Sequence, residues 1–358
     1  MISTTFAKLV TMVTILYAVV SIFSTLRLLP LLSLSSTETA TNRSESTSSD
    51  MQQGTSFEHI LNQSSSSSSI LPAATSLSSS MMPDHSTWLV QPLEELNKGG
   101  KNDGGRQIEI PKVIYKVFIQ KKGGFQNMTE ENQNLTQAHL SWEKYNTDYQ
   151  VRYFDLMLCR KYLKMYFHPI FLRSFDCIQN FAGKADFFRI AVLYREGGWY
   201  SDWKQVCLQN NLLNRLGNGT ELVLFRDEAV INGAKMFPNA FLGATPQHPY
   251  LIEILKLLFH HVHISQYAGS ALNTTGPMLL DTGWRIAEQK NMVNQTENIL
   301  GKYNVTGYFF DLENNPVILH KCTGCGAHQS WENGNIYWAM HRKKTFYCED
   351  AATIFEKV

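Results

Sequence analysis

The sequence predicts an α/β fold for residues 108–350, and three observations point to it. First, strand-like and helix-like stretches alternate along this region. Second, residues 110–120 (IPKVIYKVFIQ) alternate as a strand does, with Val113, Tyr115 and Val117 on one face and Ile114, Lys116 and Phe118 on the other. Third, residues 181–204 (FAGKADFFRIAVLYREGGWYSDWK) read as a helix, a two-glycine stop and a strand. Asp186, Arg189, Ile190 and Leu193 fall three and four apart, which places them on one helix face, and Gly197-Gly198 ends that helix with a left-handed cap. Trp199 and Tyr200 then form a short strand tipped by Ser201-Asp202. That leaves a carboxylate at the carboxyl end of a strand, the edge at which open α/β sheets hold ligands, so the segment reads as a nucleotide-binding corner.

Taken from its start, the chain has 358 residues and a formal net charge of +1. It is long enough to bury a large core, and no strong field draws it to nucleic acid. Residues 1–8 read as a short cytoplasmic tail and 9–29 as a transmembrane signal anchor. Positions 9–26 are uncharged and mostly apolar, and at helical rise they span about 27 Å, suited to a thin early-secretory bilayer. No small-x-small cleavage site follows, which favours an anchor over a cleaved signal peptide. Lys8 and Arg27 flank the span symmetrically, so orientation rests on the N-x-S/T triplets at Asn42, Asn62, Asn127, Asn134, Asn218, Asn273, Asn294 and Asn304. These make sense in a lumenal chain and give a type II membrane protein. Residues 30–107 are rich in Ser, Thr, Asn and Gln, with a serine run at 64–69, and read as a flexible glycosylated stem.

Within the domain, a second strand is expected over Gln150–Phe154 after a helix end that carries Trp142, a core residue by type. Residues 221–225 form a further strand, and Pro249–His263 an amphipathic helix with proline in its first turn. His260, His261 and His263 close that helix, as a polar last turn or as metal ligands. All six cysteines lie beyond the stem. In an oxidising lumen they form up to three disulfides; the other reading is a zinc site of Cys322-x-x-Cys325 with Cys348, His320, His328 and His341.

Residues 181–204 resemble the core of glycosyltransferase family 32, the DXD sugar-binding enzymes, whose pattern is roughly A-x-x-D-x-x-R-x-x-x-L-x-x-x-GG-x-Y-x-D-x-D. Asp186, Arg189, Leu193, Gly197, Gly198, Tyr200 and Asp202 match, while Lys204 stands where the family has its second aspartate. Residues 110–118 are similar to the family's I-P-K-x-I-H-x-x-W, with Tyr115 and Phe118 in place of His and Trp. Residues 141–155, the segment NAFLGATPQH at 239–248, Thr275-Gly276-Pro277 with Asp281, and residues 327–331 (AHQSW) resemble further family motifs. The T-G-P segment is by resemblance a loop on the acceptor side.

The resemblance implies a GT-A-like, Rossmann-like nucleotide-sugar transferase domain in the Golgi membrane. It implies transfer of a hexose, foremost mannose from GDP-mannose, with a UDP-hexose as the other donor, to a glycan or glycolipid acceptor with retention. Asp202 and Lys204 are then the catalytic candidates; Asp186, Arg189, Gly198, Tyr200 and Asp202 contact the donor; Asp202 and His328 hold Mn²⁺ or Mg²⁺. An ammonium at position 204 removes a metal ligand, yet it can itself sit against a diphosphate. A lumenal sugar- or nucleotide-binding pseudoenzyme is the alternative that this substitution raises.

Overall fold

The computed structural model describes residues 84–90, 109–119, 132–231, 234–267, 269–325 and 334–354, all within one unit, Pro72–Val358. The expected tail and anchor and most of the expected stem lie outside these residues. Among the described residues, no helix is long and apolar enough to cross a membrane.

The elements run β1 (Val113–Val117), α1 (Gln133–Tyr145), β2 (Gln150–Phe154), α2 (Leu156–Tyr166), α3 (Pro169–Cys177), α4 (Phe181–Glu196), β3 (Gly198–Ser201) and β4 (Val206–Cys207). There follow α5 (Leu212–Gly217), β5 (Leu222–Asp227), the small hairpin β6 (Val230–Ile231) and β7 (Ala234–Lys235), then β8 (Phe241–Ala244) and α6 (Pro249–His263). The rest is α7 (Pro277–Gln289), α8 (Gln295–Asn298), β9 (Ile299–Tyr303), β10 (Tyr308–Asp311), β11 (Pro316–Leu319) and α9 (Gly334–Arg342).

Nine strands make one mixed sheet in the order β2-β1-β3-β8-β5-β9-β10-β11-β4. β1 lies parallel to both β2 and β3, with Tyr115 opposite Tyr200; β8 is antiparallel to β3 and to β5, and β5 is parallel to β9. The α/β class is as the sequence predicts, and the sheet is of the mixed kind that a GT-A-like domain implies. β1, β2, β3, β5 and β9 therefore deliver their carboxyl ends to the same edge.

The alternation in β1 becomes two cores, one on each face of the sheet. Tyr115 and Val117 join Phe187, Leu193, Tyr200 and Leu255 beneath α4 and α6, while Ile114 joins Trp142, Trp199, Phe225 and Phe241 on the side of α1 and α5. Trp142 is fully buried, as its type suggests. One assignment shifts: residues 84–90, read from composition as stem, pack on the domain. Trp88 is buried against Phe171, Tyr194 and Phe259, with ring centroids 5.4–5.8 Å away, and Leu89 pairs with Phe167. A single large aromatic in a polar tract contributes little to a composition window but a great deal of buried area.

The sequence expectations for the cysteines resolve into two disulfides among the described residues, Cys177–Cys348 and Cys322–Cys325. Cys159 and Cys207 stay free and buried in the cores on opposite faces of the sheet, out of each other's reach. The sulfurs of the Cys-x-x-Cys pair are bonded to each other and that of Cys348 to Cys177, so none of the three is a free thiolate for zinc. No group of three metal-ligating side chains occurs among the described residues, the three histidines of α6 included.

Helix α4 begins at Asn180, whose side chain accepts from Gly183 N at 3.0 Å, and ends at two glycines with positive φ, Gly197 at +64° and Gly198 at +96°. Gly197 has ψ −160°, outside the left-handed helical cap that the sequence suggested. Glycine is required there because a Cβ at 197 would lie 2.6 Å from Pro246 Cδ, and one at 198 would lie 2.6 Å from Val113 Cγ1. Asn180→Ala is expected to cost about 1 kcal/mol by freeing the Gly183 amide, read as a drop in urea midpoint at unchanged slope.

Candidate active site at the carboxyl end of β3

The helix and strand of residues 181–204 meet at Arg189. Its Nη2 lies 2.9 Å from Asp186 Oδ1, an ion pair three residues apart on α4, and 3.5 Å from Asp202 Oδ1 just past β3. Its Nη1 donates to Asn239 O, its Nε to Ala185 O, and its guanidinium covers the Tyr200 ring at 4.2 Å. Tyr200 hydroxyl in turn donates to Asp202 Oδ1 at 2.7 Å. Asp186, Arg189, Tyr200 and Asp202, which the family resemblance names together, thus form one contiguous cluster.

Their exposure divides them. The side chains of Asp186 and Arg189 are 10% and 5% exposed, whereas that of Asp202 is 31% exposed. Tyr200 is buried. Asp202 is the face this cluster turns to solvent, and the other three hold it.

Asp186 accepts from Thr275 Oγ1 and from Asn239 Nδ2, each at 2.8 Å. Burial pushes its carboxyl up to about 6, against the opposing pull of Arg189, Thr275 and Asn239. Tyr337 completes the enclosure: its hydroxyl donates to Ala271 O at 2.7 Å and sits 3.5 Å from Thr275 Oγ1. The T-G-P and N-x-x-x-x-A-x-P resemblances single out Thr275 and Asn239 without placing them on Asp186. Tyr337 has no sequence signal at all. Asp281, from the same T-G-P stretch, instead pairs with Arg226 and Arg285.

Asp202 opens a tight turn in which Gln205 N donates to Asp202 O at 3.0 Å, and its own N–H donates to Ala240 O at 2.8 Å. Lys204 is the third residue of that turn. Its ammonium lies over the Trp203 ring, 4.9 Å from the centroid, and its carbonyl accepts from Cys322 N. Burial and then Lys321 lower its pKa. Gly198 lies at the amino end of β3, three residues or roughly 10 Å of strand from Ser201, packed under Val113. Its contribution there is conformational. His328 falls outside the described residues.

A buried lysine adjoins this turn that sequence reading places on a strand face and no further. Lys116 of β1 is 1% exposed and donates to Ser201 Oγ at 3.0 Å and to Asp202 O at 3.2 Å, while lying 4.9 Å over the Trp142 ring. Burial lowers its pKa to about 7, with Asp202 and Cys207 opposing. A cleft of about 740 Å³ between Glu221, Glu288 and Glu297 lies at the amino end of β5, on the other edge of the sheet, and none of Asp186, Arg189, Tyr200 and Asp202 lines it.

With this geometry in hand, residues 132–223, which include α4, β3 and the Asp202 turn, match the family described as glycosyltransferase sugar-binding region containing DXD motif. An uncharacterized glycosyltransferase, L373, of Acanthamoeba polyphaga mimivirus is 29% identical over 235 residues, 65% of this chain and 86% of its own length. Among solved structures, PaToxG glycosyltransferase aligns over 70% of this chain and 86% of that one at 15% identity and TM-score 0.34. The catalytic domain of alpha-toxin from Clostridium novyi aligns over 52% and 65% at 11% identity and TM-score 0.28. Glycosyltransferase is the class that the matched region and the viral relative both support for this chain.

Proposed function

We propose that the protein is a Golgi type II membrane glycosyltransferase of family 32 that moves a hexose from a nucleotide-sugar donor to a glycan or glycolipid acceptor. GDP-mannose is the donor that the family resemblance favours, with a UDP-hexose as the other, and the linkage formed is α with retention. The observation behind this reading is the Arg189 bridge, which ties the buried Asp186 to the open Asp202 at the carboxyl end of β3. Such an edge is where an α/β sheet holds a nucleotide.

Departure of a nucleoside diphosphate leaves negative charge beside the sugar, and a site that speeds it must hold positive charge and orient the anomeric carbon. Asp202, the exposed acid of the cluster, would take donor oxygens or a divalent cation. Mg²⁺ or Mn²⁺ held by a single carboxylate and the donor's own phosphates fits one open acid and no protein cage among the described residues. His328 is the second proposed ligand. When bound, such a cation neutralises the leaving diphosphate. Arg189, Asp186 and Tyr200 orient Asp202, and Thr275 and Asn239 hold Asp186.

A panel of GDP- and UDP-hexoses, offered to the full-length protein with glycan and glycolipid acceptors, with Mn²⁺ and with chelator, tests this. Transfer from one donor is expected, and absence of both binding and turnover across the panel would refute it. Lys204 favours the second reading, a pseudoenzyme, because its ammonium replaces a carboxylate in the turn. Donor binding without turnover, indifferent to metal, is that reading's signature. Lys204→Asp separates the two: a gain of metal-dependent transfer marks a disabled site, and a loss of existing transfer marks one built around lysine.

A further inference from the structure

The Asp202 turn is held from beneath by a charge that packing alone does not require. Each of the three N–H groups of an ammonium wants a partner, and Lys116 has two oxygens, Ser201 Oγ and Asp202 O, and the face of the Trp142 ring. Ser201 hydroxyl passes the connection on, donating to Gln205 Oε1 at 2.9 Å, and Gln205 Nε2 lies 3.3 Å from His320 Nδ1 beyond β11. Trp142 Nε1 donates to Gln205 O at 2.8 Å. Both ends of the turn, Asp202 and Gln205, are therefore fixed by one buried polar chain that starts at Lys116.

A fully buried cation is costly to keep, and an uncharged side chain of similar length would fill the same volume beside Ile114 and Trp142. What the ammonium adds is direction: it points two N–H groups at the main chain and hydroxyl that set where residue 202 stands. The Asp202 side chain is separately held by Tyr200 and Arg189. Backbone and carboxylate are thus oriented by different groups, from opposite faces of β3.

We infer that Lys116 is a positioning residue for Asp202, its buried ammonium setting the Asp202–Gln205 turn in the geometry that the proposed transfer uses. The inference deepens the proposed function and rests on it for its consequence in turnover, but not for its structural content.

The test compares Lys116→Met, Asp202→Asn and the double variant in the full chain. Lys116→Met is expected to lower turnover about 10-fold or more, and in the Asp202→Asn background to lower it no further. A lysine that merely supports the fold would give additive losses, and additivity overturns the inference. Independently of any activity, the Gln205 amide, which closes the turn, is expected to exchange its hydrogen about 10-fold faster in Lys116→Met while amides in α4 keep their protection. Unchanged Gln205 protection overturns the inference whether or not the wild type transfers sugar; faster exchange in a protein that transfers none leaves the inference standing and fails only the proposed function. Lys116→Gln, which keeps a donor without the charge, carries the same comparisons should the methionine variant not fold, and is expected to recover part of the loss.

Discussion

Asp202→Asn is expected to lower turnover of the donor about 10²- to 10³-fold with little loss of stability. The amide is isosteric with the carboxylate, and its Oδ1 can still accept from Tyr200, so the turn keeps its shape. What is lost is the charge, both for Arg189 and for whatever cation or donor group meets the open oxygen. Because the side chain is 31% exposed, the unfolding free energy is expected to move by about 1 kcal/mol or less. Turnover per folded protein, measured beside a denaturation curve, is the check. Activity within a few-fold of wild type would show that Asp202 takes no part in the chemistry.

The second large effect is on stability. Arg189→Leu is expected to cost about 3–5 kcal/mol, because it removes the cation from a buried pair and leaves Asp186 behind. The loss carries a pH signature whose sign follows from Asp186. Burial holds that carboxyl at about 6, above its unfolded value of about 3.9, so the folded state binds the proton more tightly. The group's contribution is then best below the unfolded value and weakens as pH rises towards 6. Without Arg189 the carboxyl moves higher still, and more is lost when it must ionise. Urea unfolding at pH 5 and pH 8 should show the larger deficit at pH 8; an equal or smaller one would mean that Asp186 does not depend on Arg189.

Residues that the sequence places together and residues that the fold places together differ in kind. Asp186 and Arg189 are legible because helical spacing puts positions three apart on one face, and Asp202 because a short strand after Gly197-Gly198 has to end on it. The bounds of Pro249–His263 are legible because its apolar period and first-turn proline agree, and those of Gln150–Phe154 through the family resemblance of residues 141–155. Trp88 escaped for the opposite reason: one aromatic among serines has no period. The six cysteines gave a count, but their pairing depended on which face of the sheet each reached.

By itself, then, the sequence determined the α/β class, the helix-glycine-strand corner and the acid at its tip, because those depend on contacts between residues a few positions apart. Only the tertiary structure decided that Asp186 is buried under Thr275, 89 residues away, and that Lys116 reaches Ser201, 85 residues away. It also decided that Asp202 alone of the acidic pair faces solvent. The physical reason is that periodicity reports which side of an element a residue occupies, whereas burial, and with it the charge a side chain can bear, depends on what distant segment of chain packs over that side.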